Sequence, residues 1–228
     1  METRVIYTDN NATTRVAPEV VTAMVPFYEK FYGNPSSMHF FGGEVAKHVE
    51  YAREQLASLL GCNPEEIVYT SCGTESDNLA IRGTLEAMPS SSDRKHLVTT
   101  LVEHPAVKNT MGYLAKKGYR VTELGVNREG MIDLDELKAA VTNETALVSI
   151  MYANNETGVI FPIEEIGRIV KEKGAVFHVD AVQAVGKIKL DLQNSAIDLL
   201  SLSGHKLHAP KGIGALYVKR GTRLKPLM

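Results

Sequence analysis

From Ile67 onward the sequence repeats one rhythm: a short apolar run, a polar or glycine-bearing turn, then a segment of helical or linker character. The runs fall at residues 67–69, 97–101, 121–124, 146–151, 175–179, 199–202 and 213–218. Most do not alternate between apolar and polar, the pattern of strands covered on both faces. Strands alternating with helices predict an α/β domain with a mainly parallel sheet and helices on both sides. Only a short loop with Gly and Pro separates the last run from its predecessor, too little chain for a helical crossover, so that strand is expected to be antiparallel.

Two helices are predicted ahead of this alternation. Val20, Met24, Phe27 and Phe31 recur at helical spacing after Pro18, with Gly33 as the stop. Val45, Val49, Ala52, Leu56 and Leu59 form a second stripe, closed by Gly61 and Pro64. A third helix through Leu79, Ile81, Leu85 and Met88 follows the first strand. The chain has 228 residues, 44% of them hydrophobic, enough for one large core. Its net charge of −2 and scattered Lys and Arg argue against nucleic acid or a membrane surface as partner. Residues 1–10 lack the apolar stretch of a secretion signal, and a cytoplasmic protein is expected. Cys62 and Cys72 fit neither a disulfide framework nor a zinc site, and no metal is expected.

Ligands of such sheets bind beyond the carboxyl ends of the strands, and five strand ends here carry polar clusters. Ser71 to Thr74, Glu103-His104, Asn154-Asn155, Asp180 with Gln183, and Ser203 to Lys206 converge on one rim. Cys72-Gly73-Thr74-Glu75-Ser76 joins a strand to a helix, where free N–H groups bind anions such as phosphate; a capping box with nothing bound explains the segment equally well. Lys206, beside Gly204 and His205, is a usable amine nucleophile if burial and a nearby cation depress its pKa, although a lysine in such a loop is more commonly a solvated surface group. Asp180 ends an apolar run, and an ionised carboxylate there requires a cation such as a protonated pyridine nitrogen; a capping or turn aspartate is the plainer alternative. His104 could lie against an aromatic cofactor, and Asn155 and Gln183 could hold its phenolic oxygen, though a turn would also use an Asn pair. Phosphate cradle, ring partner, stacking group and amine on one rim together fit pyridoxal 5'-phosphate.

The segments Asp9-Asn10-Asn11-Ala12-Thr13-Thr14, Gly33-Asn34-Pro35-Ser36-Ser37, Thr70-Ser71-Cys72-Gly73-Thr74-Glu75-Ser76-Asp77, Asn154-Asn155-Glu156-Thr157-Gly158, His178-Val179-Asp180-Ala181-Val182-Gln183 and Ser203-Gly204-His205-Lys206 occur in that order. In them the chain resembles the cysteine desulfurases, and around Tyr152 to Thr157, Phe161 to Glu165 and His208 to Gly212 it is closer to their nitrogenase-maturation branch. The resemblance implies the aminotransferase-like fold (fold type I), with residues 1–14 near the substrate side and 15–228 as the large, cofactor-binding domain. It implies that Lys206 carries pyridoxal phosphate, Asp180 pairs with the ring nitrogen and His104 stacks on the ring. Asn155 and Gln183 would flank the phenolic oxygen, Gly73, Thr74, Ser203 and His205 would hold the phosphate, and Ala12 and Thr13 would approach the substrate.

The implied reaction converts L-cysteine to L-alanine and hands sulfur to an iron-sulfur scaffold protein, in a homodimer. Selenocysteine lyase and class V aminotransferase are alternatives sharing the cofactor residues, and a non-catalytic cofactor-binding or dimerising remnant is a third. The family's persulfide cysteine, its substrate-gripping arginine and a threonine lent by the other subunit lie downstream of the lysine. The chain ends at Met228, ahead of all three, so a chain without the C-terminal small domain is expected, inactive in sulfur release on its own.

Overall fold

The computed structural model describes residues 6–227. Helices α1 (Pro18–Glu29) and α2 (Phe40–Leu60) precede β1 (Ile67–Thr70) and α3 (Gly73–Ala87). Then come β2 (His96–Thr100), α4 (Pro105–Lys116), β3 (Arg120–Leu124), α5 (Leu134–Ala140), β4 (Thr145–Ser149), α6 (Ile163–Glu172), β5 (Val176–Asp180), β6 (Leu199–Ser203) and β7 (Gly214–Val218). All seven expected strands form, in one sheet of order β1-β7-β6-β5-β4-β2-β3. The ladders from β3 through β6 are parallel, and β7 is antiparallel to both β6 and β1. The short β6–β7 connection dictates that reversal.

Successive strand residues point to opposite faces, and this sorts the core into layers. Val148, Phe177, Val179, Leu200 and Leu202 pack with residues of α2, α5 and α6. Leu97 and Leu147 pack with Ile81 and Leu85 of α3 and with α4. Ser149, His178, Asp180, Ser201 and Ser203 share by parity the face turned to α3, so that face becomes polar toward the strand ends. The sequence runs conceal this, because each polar residue is flanked by apolar residues belonging to the other layer.

The helix expectations need three corrections. Helix α1 stops at Glu29, not before Gly33, and none of its residues is buried. Phe27 of α1 and Phe31 just beyond it instead pack on His48 of α2. Helix α2 begins at Phe40, capped by the His39 ring, which accepts a hydrogen bond from the Gly42 N–H at 3.2 Å. It ends where Gly61 takes the left-handed conformation at φ 66°, but Ala57 and Leu60 are the buried residues of its last turn, and Leu59 is exposed. Helix α3 starts at Gly73, a turn and a half before its apolar stripe, so its first polar residues are drawn beneath the strand ends.

Candidate functional site

The carboxyl ends of β1, β2, β4, β5 and β6 open into a cavity of about 490 Å³. Lys206, Asp180, His104, Gly73, Thr74, Asn155, Gln183, Ser203, His205 and Ala12 all line it. Thr13 does not. Its hydroxyl lies 3.1 Å from Nδ1 of His205, so it meets the cavity only through that ring. The reason is local: Thr14 folds inward, donating from its N–H to the His205 carbonyl at 2.9 Å, and Thr13 is turned sideways.

One end of the cavity is the start of α3. The N–H groups of Gly73, Thr74 and Glu75 take no partner among the described residues, while that of Ser76 returns to the Cys72 carbonyl. No capping box forms. Cys72 supplies no side-chain cap, and Glu75 reaches past it to the Ser71 N–H at 2.9 Å. The loop lies tight against the β5 and β6 ends: a Cβ at Gly73 would stand 2.9 Å from Cγ2 of Val182 and 3.3 Å from Cβ of Ser203. Three unpartnered donors with the positive end of a helix behind them form an anion cradle.

The amine comes from the turn after β6. Lys206 is half-buried, and its ammonium donates to the Asn11 carbonyl and, at 2.8 Å, to the Ala12 carbonyl. Burial depresses its pKa, aided by the Lys187 charge and opposed by Asp9 and Asp180. His205 is depressed by burial first, then by Lys206 and Lys211. His104 caps α4, accepting the Ala106 N–H on Nδ1 at 3.2 Å, which fixes its ring at the cavity wall. Gln183 donates to the Asn11 carbonyl at 2.9 Å and accepts from Lys187 at 3.0 Å. Among the described residues the Asn155 side chain donates to Glu156, while Asn154 ties the turn together through the Glu156 and Thr157 N–H groups.

Asp180 is 6% exposed and accepts the Val182 N–H at 3.0 Å, the bond of a turn aspartate, yet it also lines the cavity. Burial raises its pKa, against the Val182 hydrogen bond and the His104 and Lys206 charges, which lower it. Two further carboxylates, Asp77 within a quoted motif and Glu103 on the expected rim, are buried, and the sequence reading gave neither a role. Asp77 lines the cavity; Glu103 lies near enough that the charge of Asp180 acts on it. Their signal in the sequence was an acid in the first turns of α3 and another beside His104, each easily read as solvated.

Neither cysteine behaves as a mobile thiol. Cys62 sits in the turn after α2, where burial and the Glu66 charge push its pKa up to about 12. Cys72 lines the cavity, but its backbone is wedged under β7: a Cβ at Gly214 would meet the Cys72 carbonyl carbon at 2.7 Å.

An amine, a buried acid, a ring-bearing wall and an anion cradle around one cavity suit a phosphorylated aromatic carbonyl cofactor. Comparison with known proteins agrees. The family description "Aminotransferase class-V" matches residues 6–228. A cysteine desulfurase of Trichormus azollae is 63% identical over 224 residues, which are 98% of this chain and 55% of that protein. Cysteine desulfurase NifS of Azotobacter vinelandii is 53% identical over the same shares. Among solved structures, a NifS-like protein superposes with a TM-score of 0.94 at 45% identity, covering 98% of this chain and 61% of the other. The chain spans about half the length of the curated relatives it matches.

Proposed function

The chain belongs to the class-V aminotransferase family, and on that premise we propose that its cavity binds pyridoxal 5'-phosphate as the cofactor domain of a cysteine desulfurase. The observation that carries the reading is the pairing of the Lys206 amine with a buried Asp180, across a cavity that ends in the unpartnered N–H groups of α3. Gly73 and Thr74 would hold the phosphate with Ser203 and His205, the latter's pKa lowered by burial and by the Lys206 and Lys211 charges. Asp180 would pair with the ring nitrogen, His104 would lie on the ring, and Gln183 and Asn155 would flank the phenolic oxygen. When bound, the cofactor supplies an electron sink for bonds at the substrate Cα.

The protein's own groups account for the rest. Lys206 would anchor the cofactor through its amine and would serve as the base for a proton at the substrate Cα; its depressed pKa leaves more of it unprotonated. Thr13 orients His205 rather than touching substrate, while the Ala12 and Asn155 walls face the substrate side; of the proposed flank 1–14 and large domain 15–228, residues 1–5 and 228 lie outside the described residues. The substrate we propose is L-cysteine, the product L-alanine, and the sulfur acceptor an iron-sulfur scaffold protein, in a cytoplasmic homodimer of the nitrogenase-maturation type. No helix among the described residues is long and apolar enough to cross a membrane. We assign the sulfur-carrying thiol to neither Cys62 nor Cys72.

The test is borohydride reduction of the protein incubated with pyridoxal phosphate, followed by peptide mass spectrometry. The cofactor mass is expected on Lys206 and lost in Lys206→Ala. Labelling spread over surface lysines would overturn the assignment.

A further inference from the structure

Two buried carboxylates, Asp77 in the cavity wall and Glu103 close to Asp180, have no place in the scheme above. Asp77, on α3, is 1% exposed, and its Oδ1 has no hydrogen-bond partner among the described residues. The nearest base is His178, with Nε2 at 3.6 Å. That ring already has a partner on each nitrogen, Ser149 Oγ on Nδ1 at 2.8 Å and Ser201 Oγ on Nε2 at 2.9 Å. Burial pushes its pKa down to about 3, so it supplies no positive charge. Glu103 is similar: Oε1 accepts from the Thr100 hydroxyl at 2.7 Å and the Met151 N–H at 3.0 Å, and Oε2 is unpartnered.

Three carboxylates in one desolvated region do not all ionise. The surroundings decide which one does. The facing groups are Cys72 at the start of α3, His178 and Asp180 on β5, Ser201 on β6, His205 and Lys206 after it, Glu103 and His104 after β2, and Asp9 on the N-terminal segment. The Lys206 ammonium and the His104 ring both favour the charged form of Asp180. Neither acts on Asp77, whose charged neighbours, Asp180 and Glu103, are acids.

We propose that Asp77 is a positioning residue acting through Asp180: the two carboxylates hold one proton between them, Asp77 keeps it, and Asp180 stays the charged member turned to the cofactor's ring nitrogen. Only the last step rests on the cofactor reading. The arrangement keeps a charge at the ring position while leaving a neutral acid behind it. When the shared proton leaves at higher pH, a second negative charge appears behind the first, and the ring nitrogen holds its own proton more tightly.

The test begins without cofactor. The carboxyl carbons of Asp77 and Asp180 are followed by NMR against pH in protein carrying ¹³C-labelled aspartate, with assignments from the single variants. Asp77 is expected at its protonated position at neutral pH, and Asp180→Asn, or Asp180→Ser if the first does not fold, lowers its midpoint by about one unit or more. An Asp77 that titrates near 3.9, the ordinary aspartate value, or a midpoint unmoved in both Asp180 variants, overturns the proposal. With pyridoxal phosphate bound, the visible absorbance of the wild type should take a step when the pair loses its proton. Asp77→Asn, or Asp77→Ser, should abolish that step while retaining the cofactor; a step that persists unchanged makes Asp77 merely structural and overturns its action through Asp180. Failure of the wild type to take up cofactor defeats the functional reading alone, and the carboxyl titration then decides the pair.

Discussion

The Lys206 ammonium donates to the Ala12 carbonyl at 2.8 Å, joining residues 194 positions apart in the chain. The N-terminal segment therefore closes one side of the cavity and holds the amine, with Gln183 gripping the same segment through Asn11. The pKa of Lys206 is lowered by burial and the Lys187 charge and raised by Asp9 and Asp180, while this carbonyl pair holds the amine in place.

Lys187→Gln is expected to raise the pH midpoint at which Lys206 becomes reactive, because the positive charge beside it lowers the pKa and the amide does not. Lys187 bonds Gln183 rather than Lys206, so the fold should survive. The measurement is the pH dependence of Lys206 modification by trinitrobenzenesulfonate, read by peptide mapping. An unmoved midpoint would mean that burial alone depresses the amine.

Gly73→Ala should weaken anion binding at the α3 start. The added methyl would stand 2.9 Å from Val182 and 3.3 Å from Ser203, so α3 must move off the β6 end. Overpacking of this kind costs roughly 1–3 kcal/mol, partly offset by the better helix propensity of alanine. Calorimetric titration with pyridoxal phosphate, beside thermal unfolding, separates the two effects. Unchanged affinity would show that the loop is not the cradle.

Buried His178 predicts a specific acid limb of stability. Its pKa falls to about 3 in the folded chain and is near 6.5 when exposed. Between those values the unfolded chain binds the extra proton, so stability falls as pH drops through that window. His178→Asn should be less stable at pH 7, through lost bonds to Ser149 and Ser201, yet lose less on acidification. Urea midpoints from pH 7 down to pH 3 give both slopes, and parallel slopes would refute the assignment.

Glu103 should act in the opposite sense. Burial raises it to about 8, above the 4.5 of a free carboxyl, so the folded chain holds the extra proton and stability is lost as pH rises between those values. Glu103→Gln keeps the acceptor for Thr100 and Met151 and removes that loss. Its stability relative to the wild type should therefore improve from pH 5 to pH 8.5 in the same urea assay. A constant difference across that range would place an ionised carboxylate at Glu103.

Cys62 should be chemically silent. At a pKa of about 12, roughly one thiol in ten thousand is ionised at pH 8, and alkylation proceeds through the thiolate. Iodoacetamide at that pH, followed by mass spectrometry, should leave Cys62 unmodified in the folded protein and modify it in urea. Rapid labelling in the folded state would contradict its burial.

The sequence by itself determined the strands, the reversal of β7 and the gathering of ten of the eleven proposed site residues around one cavity, because these are local matters. A polar residue at the end of an apolar run lands on the strand-end rim wherever the strand sits, and a glycine at a strand-to-helix turn exposes N–H groups whatever surrounds it. The family likeness carried by the ordered motifs also lies in local segments. The tertiary structure decided what depends on opposing layers. Val20, Met24, Phe27 and Phe31 have a helical rhythm, but nothing in α1 shows that none of its residues is buried. The face shared by Ser149, His178 and Ser201 follows from period-two geometry, yet that it meets Asp77 depends on how α3 crosses β5 and β6. Thr13 was assigned by its neighbours in the chain and displaced by one backbone bond from Thr14 to His205. Desolvation and charge pairing act between residues about a hundred positions apart, so the protonation of Asp77, Glu103 and Asp180 exists only once the layers close.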